Sequence, residues 1–427
     1  MSDNSVNIGL LGLGTVGGGV AAVLAQNGAA IAARAGCPLR LKAALVRDLG
    51  KRREAELPLT ANPEDILGDE DVHIVAELLG GVEPARTYVL EALRRKKSVV
   101  TANKDLLALH GEEIFRLAAA NGQDVYFEGA VAGGIPIIAA LRASLTANNI
   151  SSVMGIINGT TNYILSAMTE QGREFEAVLR EARELGYAES DPTADIEGLD
   201  AARKLAILAT LAFHTPVRLP DVYVEGIANI TAADISYARE LGCVIKLLAI
   251  ARNTEEGVET RVHPTLLPER HPLATVRDVF NAVYVVGDAL GESMFYGRGA
   301  GALPTASAVL SDIIQVARNR QAGAQGRLGL DADRRLPIKP ASDYKSSYYV
   351  RLKVKDEPRV FASIALFFAE AGISFASIIQ KPRRNGNAEI VLVTHPCRES
   401  QLEQALTATR AYDNLEKIYN IIRVLQD

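Results

Sequence analysis

The sequence predicts an α/β protein in three parts: a doubly wound parallel sheet, an α+β middle region, and a βαββαβ unit in ferredoxin-like order. Three observations predict it. A glycine cluster at residues 12–17 follows a strand pattern and opens a helix pattern. Strand-type and helix-type segments then alternate to about residue 128, which means a parallel sheet with helices on both faces. From Ser347 the segments run β, α, β, β, α, β to Val424.

Each element follows from local pattern. Residues 7–11 read as a buried strand, 17–34 as a helix, and Leu39 to Val46 as the next strand. Val72 to Leu79 is an apolar strand ending at Gly80-Gly81. Pro84 opens a helix that closes on Arg94-Arg95-Lys96-Lys97, where cations suit the helix C-terminus. Ser98 to Ala102 is a strand, 105–121 a helix and Asp124 to Glu128 a strand. The pattern changes near residue 145: a strand at Ile150 to Ile157, helices at 174–185 and 197–213, β-rich segments at 222–226, 244–251, 258–267 and 279–286, and a helix at 302–320. The expected domains are 1–145, to which helix 302–320 returns; 146–321; a linker at 322–346 without apolar periodicity; and 347–427.

Composition narrows the function. The 427 residues carry a formal net charge of -5, so no strong positive field draws the chain to nucleic acid or an anionic membrane. Cys37, Cys243 and Cys397 are odd in number and far apart, which argues against a disulfide framework or thiolate zinc site and fits a reducing compartment. Met1 to Asn7 is polar and carries no signal-peptide pattern. Apolar stretches such as Leu205 to Phe213 are far shorter than the ~18 residues of a membrane span. A cytoplasmic protein is expected. The histidines show no metal-ligand spacing, no Gly-x-Ser-x-Gly elbow occurs, and Asn158-Gly159-Thr160 matches a glycosylation acceptor only by chance.

Gly12-Leu13-Gly14-Thr15-Val16-Gly17 matches the G-x-G-x-x-G of Rossmann-type dinucleotide sites. The first glycine allows the tight turn, the second lets backbone approach a pyrophosphate, and the third lets helix pack on strand. The helix N-terminus then holds the anion. The second strand ends Val46-Arg47-Asp48, with Lys51-Arg52-Arg53 behind it. Arg47 and the basic tail favour the 2′-phosphate of NADP, Asp48 the ribose of NAD; the balance leans to NADP.

Three further stretches ask for more than packing. Thr101-Ala102-Asn103-Lys104 lies at a strand's carboxyl end, where open α/β sheets bind ligands; Lys104 could face cofactor or substrate, or be a surface lysine. Glu128 to Pro136 is glycine-rich and can aim several carbonyls at one point, forming a hard-cation site with the Glu128 carboxylate; a tight turn before a helix is the commoner reading of that spacing. Asp200 and Lys204 are four apart and share a helix face ahead of an apolar run. Burial there pulls a lysine pKa down and Asp200 pushes it up, which suits a general acid; an ordinary i,i+4 ion pair has the same spacing.

Together these stretches resemble homoserine dehydrogenase. The phosphate loop, Glu77 to Gly81, Thr101 to Lys104, Glu128 to Pro136, Asn158-Gly159-Thr160-Thr161-Asn162-Tyr163, Asp191 to Lys204, and Gly299-Ala300-Gly301 with Pro304-Thr305-Ala306 occur in that family's order, over about 1–320. The C-terminal unit resembles an ACT regulatory domain. The resemblance implies NAD(P)-dependent interconversion of L-aspartate 4-semialdehyde and L-homoserine. It implies Lys204 as proton donor with Asp200 as its partner, Lys104 on the cofactor and substrate side, Glu189, Asp195 and Asp200 at the amino-acid substrate, and Gly80, Thr101 and Gly301 beside the cofactor with the phosphate loop and Arg47. It also implies a monovalent cation, usually sodium, held by Glu128 with carbonyls of Val131, Gly133 and Ile135, and a homodimer or homotetramer. One departure stands out: Arg359 follows Pro358 where ACT domains commonly carry glycine. That side chain narrows the loop that normally lines an amino-acid pocket, so the ACT fold is expected more firmly than threonine binding. Two other readings compete: a non-catalytic nucleotide and amino-acid sensor, which would not need Glu189, Asp200 and Lys204 together, and a reductase of another aldehyde on the same scaffold.

Overall fold

The computed structural model describes residues 5–53, 56–327, 329–330, 332–382 and 386–425. The polar start at residues 1–4 lies outside them, as do 328 and 331 of the expected linker. In chain order the elements are β1 (Val6–Leu11), α1 (Thr15–Ala35), β2 (Leu39–Leu45), β3 (Leu59–Thr60), α2 (Glu64–Leu67), β4 (Ile74–Glu77), α3 (Ala85–Arg94), β5 (Ser98–Thr101), α4 (Lys104–Ala120), β6 (Val125–Tyr126), α5 (Ile137–Ala139), β7 (Ile150–Ile156), α6 (Gly159–Gln171), α7 (Phe175–Glu184), α8 (Thr193–Ile196), α9 (Leu199–Phe213), β8 (Tyr223–Val224), α10 (Ala232–Glu240), β9 (Cys243–Thr254), β10 (Gly257–Pro268), β11 (Phe280–Gly287), β12 (Gly291–Arg298), α11 (Ala302–Gln321), β13 (Lys345–Lys355), α12 (Val360–Glu370), β14 (Phe375–Pro382), β15 (Asn387–Thr394), β16 (Cys397–Arg398), α13 (Glu399–Arg410) and β17 (Leu415–Val424).

The chain divides into two compact units: residues 1–153, 203–221 and 280–335, and residues 154–202, 222–279 and 336–427. This cut differs from the three expected domains. The segment 203–221 and the β11–β12 hairpin go with the nucleotide half, and the C-terminal unit goes with the middle of the chain.

In the first unit a six-stranded parallel sheet runs β3-β2-β1-β4-β5-β6, so every strand's carboxyl end faces the same edge. Ile8, Leu10, Ile74 and Val100 from the strands meet Val20 of α1 and Val309 and Ile313 of α11 in one core. Each such fully buried aliphatic side chain contributes roughly 1.5–3 kcal/mol. A Cβ at Gly19 would lie 2.6 Å from the Ala302 carbonyl oxygen, so the close approach of α11 to α1 requires glycine there. Of the described helices, only α1 is long and apolar enough to cross a membrane. Its apolarity has another use: Val20, Leu24 and Ile31 are core residues of this sheet unit.

The second unit carries a sheet in the order β9-β10-β17-β13-β15-β14. β13, α12, β14, β15, α13 and β17 form the expected βαββαβ fold, with its own core around Val350, Leu352, Ile364, Phe368, Ile390 and Leu406. Its last strand pairs in parallel with β10, Thr265 opposite Arg423 and Leu266 opposite Val424, which makes the C-terminal sheet continuous with the middle one. Arg351 reinforces the union: it donates to Asp234 at 2.8 Å, Glu389 at 3.0 Å and Thr231 at 2.9 Å. Part of the segment read as a linker is hydrogen-bonded to β10, since Val258 N donates to the Pro337 carbonyl at 2.8 Å and Lys339 N to the Val258 carbonyl at 2.9 Å.

Three longer elements escape the periodicity reading, α6, α10 and β12, as do the short β3, α2, α8 and β16. In α6 eight residues from Thr160 to Met168 are buried, so the apolar contrast that marks a surface helix is missing. The expected strand end at Glu128 is a 3₁₀ turn, Glu128–Ala130.

Two expected results arise from this unit. Lys246 on β9 is buried, donates to Asn162 Oδ1 at 2.9 Å, Ser166 Oγ at 3.1 Å and the Val276 carbonyl at 2.6 Å, and has its pKa pulled down to about 8 by burial. A lysine whose folded pKa is depressed favours the folded state less as it charges, from the unfolded value near 10.5 down through 8. Wild type should therefore gain stability relative to Lys246→Met as pH rises from 7 to 9.5, read from paired thermal melts; a difference that is flat or shrinks contradicts it. Arg359 caps α12 with φ 75, a left-handed conformation that suits glycine. Arg359→Gly should stabilise the chain by about 1 kcal/mol, and Arg359→Ala, which keeps the Cβ, should not. Equal unfolding midpoints for the Gly and Ala variants would contradict this.

Candidate active site

The phosphate loop has the geometry its spacing predicts. Gly12 sits at φ 108, and a Cβ there would lie 2.7 Å from the Leu78 carbonyl oxygen. A Cβ at Gly17 would lie 2.3 Å from the Gly12 carbonyl oxygen. Gly14 differs: nothing lies within 4 Å of its would-be Cβ, so the turn's open side is left for a ligand. Gly14 and Thr15 are exposed, Val16 is half-buried, and α1 begins at Thr15, so its first amides point at that opening. A cavity of about 790 Å³ adjoins Gly14 and Gly18 and is lined also by Arg53, Glu56 and Leu57. Arg47 lies exposed just past β2, and Arg53 donates to the Asp48 carbonyl at 2.9 Å.

Glu77, at the carboxyl end of β4, is fully buried and braces two neighbouring loops. Its carboxylate accepts from Leu79 N at 2.8 Å, Thr101 Oγ1 at 2.6 Å and Asn103 Nδ2 at 3.4 Å. Burial pushes its pKa up, against those donors. Asn103 also donates to the Gly81 carbonyl at 2.6 Å and caps α4 by accepting from Leu106 N at 3.1 Å. One carboxylate thus sets Gly80, Thr101 and the start of the helix whose first residue is Lys104. Sequence reasoning quoted Glu77 as part of a motif and assigned it no role; the signal was a lone acid ending an apolar strand.

A second brace joins the two lysine-bearing helices. Asp105, next to Lys104 on α4, pairs with Arg203, next to Lys204 on α9, at 3.1 Å. Lys104 and Lys204 are both half-buried.

The glycine-rich loop after β6 is tightly fixed. The Glu128 carboxylate accepts from Ile138 N at 2.8 Å and Ala139 N at 2.6 Å, so it caps α5, while Glu128 N donates to the buried Asp312 carboxylate at 2.8 Å. Burial pushes the Glu128 carboxyl up. Ala132 and Gly133 are consecutive left-handed residues, φ 54 and 48. A Cβ on Gly133 would lie 2.4 Å from the Gly299 carbonyl oxygen, and one on Gly299 would lie 1.4 Å from Asn281 Oδ1. Val131, Gly133 and Ile135 are buried here, and the Ile135 carbonyl accepts from Ile137 N at 2.8 Å. Gly301, at φ 128, caps α11 directly after this contact. No cluster of three or more His, Cys, Asp or Glu side chains suited to a metal occurs among the described residues.

In the second unit the organising residue is Asn158. Its amide nitrogen donates to Asp195 Oδ1 at 2.7 Å and Asp200 Oδ2 at 2.8 Å, and its oxygen accepts from Thr161 N at 2.9 Å as the cap of α6. Two acidic side chains are thereby held to one amide, and Asp200 is only 7 % exposed. Thr160 Oγ1 donates to the Tyr187 carbonyl at 2.7 Å, which anchors the loop carrying the exposed Glu189. Asp200 and Lys204 lie one turn apart on α9. Asn158 was read as a chance glycosylation match; the missed signal was an asparagine between a strand and Gly-Thr-Thr, a helix N-cap.

A parallel sheet with an open phosphate loop, and lysines braced at its ligand edge, define a nicotinamide-dinucleotide-dependent oxidoreductase. Family models agree: residues 12–128 match "Homoserine dehydrogenase, NAD binding domain", 136–314 match "Homoserine dehydrogenase", and 348–414 match "ACT domain". The homoserine dehydrogenase of Neisseria gonorrhoeae is 48% identical over 429 residues, 98% of each chain. A crystal structure of a homoserine dehydrogenase from Thiobacillus denitrificans superposes with a TM-score of 0.95 at 47% identity, covering 99% of this chain and 98% of that one. A hyperthermophilic archaeal homoserine dehydrogenase in complex with NADPH matches at TM-score 0.62 and 28% identity, covering 73% of this chain and 97% of that one. The chain belongs to the homoserine dehydrogenase family, NAD(P)-dependent oxidoreductases that interconvert L-homoserine and L-aspartate 4-semialdehyde, and it carries a C-terminal ACT domain.

Proposed function

We propose that this chain works chiefly with NADP(H) in the cytoplasm, and that Lys204 is the proton donor for semialdehyde reduction. The observation that carries the reading is Asn158 holding Asp195 and Asp200 together at the start of the helix that bears Lys204. A nicotinamide held at the phosphate loop would supply the hydride. The Lys204 ammonium gives its proton to the aldehyde oxygen as it becomes an alkoxide, and the neutral amine regains a proton from solvent. Asp200, one turn earlier, orients that ammonium. Glu189 and Asp195 are the carboxylates suited to the substrate's own ammonium, and family resemblance gives Lys104 a cofactor- and substrate-side role. Thr101, Gly80 and Gly301 shape the cofactor edge with Gly12, Gly14, Thr15, Val16 and Gly17, and Arg47 meets the 2′-phosphate. The NADPH complex of the archaeal relative supports that preference.

A monovalent cation, sodium by family resemblance, fits the Glu128 to Pro136 loop in one way. The Glu128 carboxylate accepts one amide on each oxygen and keeps lone pairs on both, so it and the carbonyls of Val131, Gly133 and Ile135 would hold the cation. Bound there, it would rigidify the loop that packs on Gly299. Threonine at the ACT domain is the proposed regulator, with the Arg359 loop limiting its response, and the enzyme self-associates as a homodimer or homotetramer.

Isotope transfer tests the chemistry. With semialdehyde and NADPH deuterated at the reactive C4 position, L-homoserine should carry one deuterium at C4 by mass spectrometry. Unlabelled homoserine, or none, overturns the reading.

A further inference from the structure

The second unit contains a cavity of about 240 Å³ where β10, the start of β13 and the end of β17 meet, separate from every residue given a role above. Arg252, Arg261, His263, Lys345, Ser347 and Arg423 contribute to its lining, and no Asp or Glu does. Arg261 and His263 alternate along β10, so both present one face.

The polar inventory of this cavity does not close. Arg261 is 2% exposed, His263 and Ser347 1% each. Arg261 Nε, His263 Nε2 and Ser347 Oγ have no hydrogen-bond partner among the described residues. Arg261 Nη1 donates to Ser346 Oγ at 3.0 Å, but its nearest carboxylate, Glu259, is 4.0 Å away and already accepts from Lys339 at 2.8 Å. Arg423 is better satisfied, pairing with Glu225 at 2.7 Å and Glu399 at 2.6 Å. The least compensated charge is that of Arg261, which shares Glu259 with Lys339 at the long end of an ion pair, lies 5.3 Å from the Tyr344 ring centre, and has Arg252 and Lys345 beside it. Burial, then repulsion from Arg252, pulls the Arg261 pKa down to about 10. A buried guanidinium with only a distant, shared carboxylate is poorly compensated, and orphaned buried polar groups in native proteins call for a partner.

His263 narrows the class of that partner. Its Nδ1 lies 2.9 Å from the Pro264 carbonyl, which can only accept, and 3.0 Å from Thr265 Oγ1, whose proton goes to the His263 carbonyl at 3.3 Å; both contacts assign the ring proton to Nδ1 and leave Nε2 as an acceptor. A group in the cavity that meets both atoms would accept from Arg261 Nε–H and donate to His263 Nε2. Hydrogenphosphate, or a phosphate monoester in its protonated form, does both; a carboxylate or sulfate at neutral pH only accepts. The volume admits a phosphate group with a small organic remainder and is below the usual range for larger ligands.

We propose that this cavity is a binding site for a phosphate group, free or carried by a small metabolite, which ties the last ACT strand to the middle sheet. The test uses the full chain with saturating NADPH, so that the nucleotide site is filled, at constant ionic strength with chloride as the balancing ion. Inorganic phosphate should raise the melting temperature saturably, by about 2–5 °C at a hundredfold excess over its Kd. By calorimetric titration, sulfate should bind at least about tenfold more weakly. Arg252→Gln with Lys345→Gln, both at the accessible side of the cavity, should weaken phosphate at least about tenfold with the fold intact, and Arg261→Gln should abolish binding. Glycerol 3-phosphate is the ester probe: binding as tight as phosphate identifies a metabolite as the source, and weaker binding the free ion. A non-saturable rise shared by wild type and the double variant, sulfate binding equal to phosphate, or no rise at all overturns the proposal.

Discussion

Lys204→Ala is expected to lower kcat for semialdehyde reduction at least about 100-fold, or ~2.7 kcal/mol of barrier, the lower end for losing a general acid. The side chain is half-buried on a helix whose core face is built by Leu205, Leu208 and Leu211, so its removal leaves the packing in place. NADPH affinity, followed by fluorescence titration, should be unchanged, because the phosphate loop and the Glu77 brace lie on other elements. Lys204→Arg should rescue little: guanidinium keeps the charge but holds its proton too firmly to give it up. Near-normal turnover in Lys204→Ala removes Lys204 from the chemistry. Weakened NADPH binding with unchanged kcat would instead make it a cofactor contact.

Asn158 should give the second large effect. Asn158→Ala removes two hydrogen bonds to carboxylates, each about 1.5–3 kcal/mol, and a helix cap of about 1 kcal/mol. It leaves Asp195 and Asp200 without the amide that they share. Non-additivity makes a net destabilisation of about 3 kcal/mol the reasonable expectation, together with a raised KM. Asn158→Asp separates structure from site. Aspartate caps a helix as well as asparagine, so the α6 contribution returns, but a third carboxylate now faces Asp195 and Asp200. Stability should recover in part while KM stays high. Full recovery of both would reduce Asn158 to a helix cap.

Why these residues were or were not legible follows from the range over which each acts. Gly12 and Gly17 are read from local sterics: the backbone turn itself forbids a side chain, and the spacing is visible in six residues. The alternation to Tyr126 was legible because each strand is a short apolar run and each helix has a polar face. The strand order, with the two-residue β3 at its edge, comes from the structure alone. Arg359 was read as a departure from glycine, and its φ of 75 is the backbone reason for that expectation. By contrast, α6 is buried on nearly every side, so periodicity had nothing to contrast. The Asp105–Arg203 pair joins residues 98 apart, and the two acids on Asn158 come from 37 and 42 residues away. No window along the chain contains both members, so the motifs could be recognised singly without their connections. Glu77 was hidden for the opposite reason: an acid ending a strand looks like a surface residue until the structure shows it fully buried.

The most direct test of the account is an initial-rate assay of L-aspartate 4-semialdehyde reduction by the full chain, followed by nicotinamide absorbance with NADPH and then NADH. Substrate-dependent oxidation of both is expected, with the higher kcat/KM for NADPH. Preference for NADH would contradict the role given to Arg47, and no substrate-dependent change with either cofactor would contradict the account as a whole.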